Sequence, residues 1–505
     1  MEVRGLRALP LLAALLAAAC SGSSSPGAAG SVPLACSSAP AQVPAGLKVQ
    51  LRREGRWMVD PLGRVVLTHG VNAVWKIPPY YPPATPEGFI GADAAWLADN
   101  GFNSARIGTL FAGVMPQPDQ IDAQYLEAWD RVVQLLSAHG IYTLFDFHQD
   151  LYSERFAGEG FPEWATNDDG IPMPVSFGFP GNYFTPACSR AFDNFWSDTD
   201  GLWARYRSAW KAVATRWHDQ DHHLGYDLIN EPWPGTDFAT CANPLGCPLH
   251  DTQELQALQQ EALAGIREAD PANLVWFEPN VIFNSGAKTN LALLAPIGDP
   301  NIGLSWHKYC LPAALLHAQG FEDVPACDVY HQLVSDNAEE AIGRMQATTL
   351  VTEFGASDDL ADLVQVTQQT DAQLTGWQYW HYKEWRDPTT ESGGSGGQGL
   401  FADDADLSTV KVEKLKVLSR TYPQATAGIP LELSFDPDSA EFHYRYQPRA
   451  AQGPTEIFVP AALHYPQGYT VEVTGACLVP TGDPRRVLLQ NEAGATEVVV
   501  TIRRR

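Results

Sequence analysis

Short apolar runs alternate with longer amphipathic segments between about residues 64 and 385 of this chain of 505 residues. The runs have the length of buried strands, and most of the segments between them have helical spacing. The pattern predicts eight strands, at Val65–Val74, Asn103–Ile107, Tyr142–Phe147, Leu224–Ile229, Leu274–Phe277, Gly303–Trp306, Thr349–Glu353 and Gly376–Trp380.

The longest helical pattern runs from Asp122 to His139 and carries six apolar residues on one face before Gly140 ends it. Further helices are predicted over Phe192–Trp217, Thr252–Glu268 and Val329–Gln346. Eight strand–helix alternations predict an α/β fold, a (β/α)8 TIM barrel that spans residues 46–425. An open doubly wound sheet is the alternative, but no Gly-rich phosphate fingerprint follows the first strand.

The pattern of apolar and polar residues changes after Pro430. Short alternating runs separated by turn residues follow, among them LELSF, EFHYRY, TEIFVP and YTVEVTG. Such runs are typical of antiparallel strands with one buried face. We therefore predict a small antiparallel β-sandwich over residues 426–505, which braces the barrel or binds sugar or lipid. A flexible Gly-rich loop is predicted at residues 391–399, after the eighth strand.

The first 20 residues have the pattern of a signal peptide. Arg4 and Arg7 precede an apolar stretch that is too short to span a bilayer. Small residues lead up to Cys20, as in a bacterial lipoprotein box, which predicts lipidation of Cys20; ordinary cleavage near Ala19 is the alternative. Residues 21–45 are predicted to form a flexible linker. We expect an exported protein, held at the cell surface as a lipoprotein or otherwise secreted.

Eight cysteines fit an exported protein. Cys241–Cys247 and Cys310–Cys327 are candidate local disulfides, and the pairing of Cys36, Cys188 and Cys477 stays open. Paired Cys-x-x-Cys motifs are missing from the sequence, which argues against zinc; we predict no metal and no cofactor. The net charge of −26 argues against a nucleic-acid partner.

Polar or aromatic side chains stand at the ends of several predicted strands, where the chemistry of a (β/α)8 barrel takes place. They are Arg106, His148, Glu231, His307, Glu353 and Trp380. Retaining glycosidases use two carboxyl groups about 5 Å apart, one as nucleophile and one as acid/base. Glu231 after the fourth strand and Glu353 at the end of the seventh predict this chemistry on a β-glycoside substrate.

The two glutamates need different surroundings. Glu353 must stay ionised to attack, so we expect Arg106 and Tyr309 to contact it. Glu231 must start protonated, so we expect burial and the charge of Glu353 to raise its pKa. The amide of Asn230 is placed to bind the sugar 2-hydroxyl.

At these positions the chain resembles glycoside hydrolase family 5. The shared motifs are NEP around Glu231, TEFG around Glu353, an arginine after the second strand and His-x-Tyr after the sixth. The runs FDFHQDLY, AFDNFW and YDLINEP resemble the endoglycoceramidase branch of that family more specifically. This branch cleaves the bond between oligosaccharide and ceramide in glycosphingolipids, with retention and without a metal.

The resemblance implies a role for each matching residue. Glu231 is expected to be the acid/base and Glu353 the nucleophile. Substrate-binding roles are expected for Lys76, Arg106, His148, Asp150, Asn230, His307, Tyr309 and Trp380. Independently of the matching motifs, two alkyl chains need an apolar groove beside the sugar slot. We expect Trp233, Phe238, Phe354 and Trp385 to contribute to it.

Three alternatives remain open from the sequence. The chain can be a relative that prefers galactosylceramide or glucosylceramide. It can also hydrolyse a β-linked polysaccharide, as cellulases and mannanases do. The third alternative is an inactive surface protein that binds through its C-terminal sandwich, although both glutamates are present.

Overall fold

The computed structural model describes Cys36 and residues 46–310, 327–389 and 397–505. The predicted signal peptide, Cys20, nearly all of the linker and residues 390–396 of the Gly-rich loop lie outside the described residues. Within the described ranges, no helix combines the length and the apolar character needed to cross a bilayer.

The strands are numbered in chain order. They are β1 (Arg52–Glu54), β2 (Trp57–Val59), β3 (Val65–Val66), β4 (His69–Ala73), β5 (Ser104–Gly108), β6 (Tyr142–Asp146), β7 (His223–Asp227), β8 (Val275–Phe277), β9 (Ile302–Lys308), β10 (Thr348–Phe354), β11 (Gly376–Tyr379), β12 (Tyr422–Thr426), β13 (Gly428–Phe435), β14 (Phe442–Pro448), β15 (Thr455–Phe458), β16 (Tyr469–Thr474), β17 (Ala476–Val479), β18 (Arg486–Asn491) and β19 (Val498–Arg504).

The longer helices are α1 (Gly91–Asp99), α2 (Ala123–Ala138), α3 (Pro186–Trp196), α4 (Leu202–Trp217), α5 (Gln256–Ala269), α6 (Cys327–Met345), α7 (Leu360–Gln373) and α8 (Val412–Leu418). Helix α2 shows how the sequence specifies them. The Asp122 carboxylate accepts hydrogen bonds from the first free amides of α2, and the apolar face from Tyr125 to Leu136 is buried.

Strands β4 to β11 form a closed parallel barrel, which confirms the predicted TIM barrel. Each of the eight predicted strands contains one of these strands or overlaps it. The first prediction was too long, because Val65–Val66 pairs antiparallel with β2 and β12 in a different sheet and the barrel strand starts only at His69.

The predicted helix Phe192–Trp217 is two helices, α3 and α4. Asp198, Asp200 and Gly201 adopt left-handed backbone conformations between them, which a continuous helix does not allow. The polar Ser197–Gly201 segment was the signal for this break.

Two antiparallel sheets follow the barrel, which confirms the predicted C-terminal antiparallel domain. The smaller sheet has the order β13-β14-β19-β16. The larger has the order β1-β2-β3-β12-β15-β18-β17 and so includes three strands that precede the barrel in the chain. Strands of two or three residues carry too little alternation to be predicted. Phe442, Tyr444, Ile457, Leu489 and Val500 belong to the buried core of this region.

Both predicted disulfides, Cys241–Cys247 and Cys310–Cys327, are confirmed. A third disulfide joins Cys36 to Cys477 on β17, two of the three cysteines whose pairing the sequence left open. Cys188 on α3 is buried as a free thiol.

Candidate active site

The carboxyl ends of the barrel strands bring Glu231, His307 and Glu353 together. A carboxylate oxygen of Glu231, a ring nitrogen of His307 and a carboxylate oxygen of Glu353 lie within 4.8 Å of one another. A spacing of about 5 Å is typical of retaining glycosidases, in which the nucleophile attacks the anomeric carbon from the side opposite the leaving group, whereas the wider spacing of inverting enzymes leaves room for a water.

Glu353 is nearly buried at the end of β10. Arg106 Nη1 donates to its Oε1 at 2.5 Å, and the Tyr309 hydroxyl donates to its Oε2 at 2.8 Å. Both contacts were predicted from the sequence. Charge-assisted bonds of this kind fix the orientation of the carboxylate toward the centre of the barrel.

Glu231 lies opposite in a different environment. Its Oε1 is 2.7 Å from Nδ1 of His307 and accepts a hydrogen bond from Asn284 Nδ2 at 3.2 Å. Burial raises the pKa of Glu231 to about 7, and the charge of Asp150 adds to the effect. The expectation from the sequence was therefore right about burial but named Glu353 instead of Asp150 as the repelling charge. Burial lowers the pKa of His307 to about 4, which keeps that ring neutral at neutral pH.

The backbone at Glu231 is itself held in a strained form. Its φ of 40° lies in the left-handed region, which costs free energy for a residue with a Cβ. Its amide donates to Oε1 of Glu278 at 2.9 Å, and Gln149 Nε2 donates to its carbonyl at 3.1 Å. These contacts hold the turn that aims the Glu231 carboxyl into the site.

Arg106 on β5 is the fully buried cation at the centre of the site. Its Nε donates to Asp227 at 2.8 Å, and its Nη2 donates to Oδ1 of Asn230 at 2.9 Å. Nη2 also lies 3.1 Å from Asp146 Oδ1 and 3.6 Å from Glu278 Oε2. Burial alone would lower the pKa of this guanidinium, but the surrounding carboxylates raise it well above its usual range.

Four carboxyl groups around one guanidinium cannot all be charged at low cost. Burial, with the neighbouring charge of Asp227, raises the pKa of Glu278 well above its usual range. Burial likewise raises the pKa of Asp227 to about 7. Three of these carboxyl groups were not predicted from the sequence, although all three end or follow barrel strands: Asp146, Asp227 and Glu278.

A second polar cluster surrounds Lys76, three residues beyond β4. Its Nζ donates to Asp150 Oδ2 at 2.6 Å and to Thr389 Oγ1 at 2.8 Å, and it lies 3.0 Å from Asp387 Oδ2. The ammonium also lies 4.6 Å from the centre of the Trp380 ring. Lys76 is almost fully buried, so this charge is held in place by its partners.

His148 joins the two clusters. Its Nδ1 is 2.8 Å from Asp146 Oδ2 and its Nε2 is 3.4 Å from Asp150 Oδ2, while its ring stacks on Trp380 with 5.2 Å between centroids. Burial alone would lower the pKa of His148, but the two aspartates raise it to about 10. Trp380 donates its indole N–H to Gln398 Oε1 at 3.1 Å. All ten predicted site residues thus fall in these two linked clusters.

Among the residues that the structure describes, three groups of side chains have the composition of a metal site. In His148–Asp150–Glu159, the Lys76 ammonium already lies 2.6 Å from Asp150 and 3.6 Å from Glu159. In Glu231–His307–Glu353, Arg106 already neutralises Glu353. The third group, Asp237–His250–Glu254, contributes no residue to either cluster. The expectation of a reaction without a metal stays a prediction.

An apolar wall begins two residues beyond Glu231. Trp233 stacks on Phe238 at 4.8 Å between centroids and meets Phe184 edge-on at 5.0 Å, and Phe184 is 57% exposed. Two of the four aromatic residues predicted for a ceramide groove, Trp233 and Phe238, therefore lie together.

The other two do not join this wall. Phe354 is fully buried against Trp377 and Tyr379, because side chains alternate along a strand and Glu353 takes the inward position. Trp385 is buried against Trp75 and donates its N–H to the carbonyl of Glu87. The prediction was wrong for Phe354 and Trp385.

The model of the family described as cellulase (glycosyl hydrolase family 5) matches residues 71–384, and that of the glycoside hydrolase family 5 C-terminal domain matches residues 420–503. Endoglycoceramidase I of Rhodococcus hoagii is 37% identical over 461 residues, which cover 90% of this chain and 88% of the relative. The chain belongs to the endoglycoceramidase branch of glycoside hydrolase family 5. It is therefore a glycoside hydrolase.

Other family 5 relatives agree with this placement. An endoglycoceramidase of Cyanea nozakii is 28% identical, with 85% of this chain and 88% of the relative covered. The solved structure of endo-glycoceramidase II from Rhodococcus sp. with ganglioside GM3 has a TM-score of 0.75 and 27% identity, and covers 90% of this chain and 100% of that chain. A further structure of that enzyme is of its lactosyl-enzyme intermediate.

The charge balance around Arg106 is testable by unfolding. Arg106→Met leaves Asp227 and Glu353 buried without their donor, so we expect the free energy of unfolding to fall by about 3–5 kcal/mol. Glu278→Gln puts an amide of the same shape in place of a carboxyl whose pKa is raised well above its usual range, so we expect a smaller loss, below about 1 kcal/mol at pH 7. Urea unfolding followed by tryptophan fluorescence measures both. Equal destabilisation by the two variants would show that Glu278 is charged in the folded protein.

Proposed function

We propose that this chain is an endo-acting β-glycosidase that cleaves glycosphingolipids into intact oligosaccharide and ceramide. Glu353 is the nucleophile and Glu231 is the acid/base. The observation that carries the proposal is that an oxygen of each carboxyl group lies within 4.8 Å of the other. Arg106 and Tyr309 hold the carboxylate of Glu353, and burial raises the pKa of Glu231 to about 7. The relatives that act on glycosphingolipids support the substrate class.

The first half of the reaction forms a covalent intermediate. The Glu353 carboxylate attacks the anomeric carbon while Glu231 gives its proton to the glycosidic oxygen, which leaves as the hydroxyl of ceramide. Arg106 and Tyr309 hold the attacking carboxylate at the angle set by their hydrogen bonds. The lactosyl-enzyme intermediate of the relative fits a reaction of this type.

The second half returns the enzyme to its starting state. The ester at Glu353 removes one negative charge from the site, and Glu231 is now a carboxylate. Glu231 takes a proton from a water, which attacks the anomeric carbon and releases Glu353 with the configuration of the sugar retained. A pKa of about 7 suits Glu231 to both roles, because it lies near neutral pH.

The cluster around Lys76 is the proposed sugar slot. It offers the ammonium of Lys76, the carboxylate of Asp150 and the ring of His148 next to the face of Trp380. Hydroxyl groups of a sugar need such a set of fixed donors and acceptors, and the apolar face of a sugar ring packs on an aromatic side chain. Asn230 is fixed beside this slot by two hydrogen bonds, since its Oδ1 accepts from Arg106 and its Nδ2 donates to the carbonyl of Gln149 at 3.0 Å.

The apolar wall of Trp233, Phe238 and Phe184 is the proposed contact for the alkyl chains. Trp233 and Phe238 follow Glu231, the residue that protonates the leaving group, and Phe184 packs against both of them. This wall favours a lipid aglycone over a polysaccharide, whose next sugar would require further hydroxyl-binding groups.

The direct test is hydrolysis of purified ganglioside GM3 in detergent. We expect the wild type to release intact trisaccharide and ceramide, which mass spectrometry identifies, and Glu353→Gln to lose at least about 1,000-fold in kcat. Asp93→Asn, which likewise turns a buried carboxyl group outside the two clusters into an amide, serves as the matched control. Hydrolysis of β-glucan without any release of ceramide would contradict the lipid substrate and favour the polysaccharide alternative.

The environment of Glu231 sets the alkaline side of the pH profile. The proton donor must be protonated, so kcat/KM on GM3 is expected to be lost as the pH rises through about 7. Asp150 raises the pKa of Glu231, so Asp150→Asn is expected to move this limb to lower pH as well as to weaken binding. A limb that stays in place, or moves to higher pH, in Asp150→Asn would contradict the assignment.

We also propose that the protein is exported and attached to a membrane surface through a lipidated Cys20. Three disulfides fit an oxidising compartment, and the small residues before Cys20 fit lipid attachment. One acyl chain gives marginal binding and two or more give stable anchoring. Expression in a bacterium fed with labelled palmitate is expected to label the wild type and not Cys20→Ala. Equal labelling of both would remove the assignment.

A further inference from the structure

Tyr183 is a buried tyrosine at the site that neither cluster uses. It precedes α3 and is only 5% exposed, yet its hydroxyl has no hydrogen-bond partner among the described residues. The amide of Leu151 approaches the hydroxyl oxygen without a hydrogen bond of normal geometry. A buried hydroxyl without a partner costs about 1–3 kcal/mol and is rare in folded proteins unless a ligand completes it.

The charges of the active site act on the Tyr183 hydroxyl. Burial raises the pKa of Tyr183 well above its usual range, and the charges of Asp150 and Glu231 add to this. The hydroxyl therefore holds its proton more strongly than an ordinary tyrosine does. The amide that approaches it belongs to Leu151, which directly follows Asp150 in the chain.

The ring of Tyr183 belongs to the apolar wall. It stacks on Trp233 with 4.9 Å between centroids, and Trp233 leads on to Phe184 and Phe238. Tyr183 thus stands at the boundary where the polar site ends and the apolar wall begins. Ceramide has the matching order of groups, since its amide and its free hydroxyl lie between the glycosidic oxygen and the two alkyl chains.

We infer that the Tyr183 hydroxyl donates a hydrogen bond to the amide or hydroxyl at the head of the lipid aglycone and so selects sphingolipids over other β-glycosides. This inference rests on the proposed function. Trp233 holds the ring of Tyr183 in place, and its own indole N–H, which also lacks a partner among the described residues, offers a second donor beside it.

The test compares two substrates that share the same sugar. Tyr183→Phe keeps the stacking ring and removes only the hydroxyl. We expect its kcat/KM on lactosylceramide to fall by about fivefold to a hundredfold, the range for one lost buried hydrogen bond, and its kcat/KM on 4-nitrophenyl β-lactoside to stay within about twofold. Tyr446→Phe removes a buried hydroxyl in the C-terminal domain, bonded there to Asn491, and is expected to change neither.

A second comparison changes the lipid instead of the protein. An octadecyl β-lactoside carries an alkyl chain but no amide and no free hydroxyl. If Tyr183 binds the ceramide head, the wild type discriminates against this substrate and Tyr183→Phe no longer does to the same extent. This readout holds even where Tyr183→Phe is less stable, since both substrates are measured on the same folded enzyme.

Each contrary outcome is distinct. Equal losses of kcat/KM on lactosylceramide and the nitrophenyl lactoside would indicate that the Tyr183 hydroxyl contacts the sugar or Glu231 instead of the lipid. This result would overturn the inference. Unchanged kinetics on both substrates would overturn it as well. A wild type that hydrolyses the nitrophenyl lactoside but not lactosylceramide would instead overturn the proposed function, and that failure is visible without any variant.

Discussion

The active site is organised around one ion, the guanidinium of Arg106 inside the barrel. It contacts Glu353 directly, orients Asn230 and neutralises the carboxylate of Asp227. Without this cation the carboxyl groups from β6, β7, β8 and β10 would repel one another in a region from which water is excluded. The raised pKa of Glu278 reduces this repulsion, and its carboxyl also accepts a hydrogen bond from the strained backbone of Glu231.

The two glutamates owe their different roles to this arrangement. Glu353 receives the two strongest donors, Arg106 and Tyr309. Glu231 lies beside a neutral His307 and an amide, with Asp150 nearby, and its pKa rises to about 7. Two identical side chains thus acquire opposite tasks because one is paired with a cation and the other is not.

The sequence predicted the barrel and its reactive edge because both depend on local patterns. Buried parallel strands are short apolar runs, and a polar residue that ends such a run must be solvated, paired or functional. The roles of three carboxyl groups, Asp146, Asp227 and Glu278, could not be predicted. A carboxyl group at a strand end can be recognised in the sequence, but neither its partner nor its protonation state can. Phe354 was misplaced for a different reason, since the inward direction of Glu353 already turns its neighbour outward.

Contacts between residues far apart in the chain were the second feature that the sequence did not predict. The small strands β1, β2 and β3 join a sheet with strands more than 350 residues away in the chain, and Cys36 is bonded to Cys477. Tyr183 is a similar case, because its sequence neighbours suggest an ordinary core residue and only the assembled site shows an unpaired hydroxyl at the boundary of the apolar wall.

The central claim is that Glu353 forms the bond to the sugar. A 2-deoxy-2-fluoro β-lactoside with a dinitrophenolate leaving group slows the second half of the reaction and traps the covalent intermediate. Peptide mapping by mass spectrometry is predicted to place one fluorolactosyl group on the peptide that contains Glu353, with loss of activity at the same rate. A label on Glu231, or full inactivation without any covalent sugar, would contradict this account.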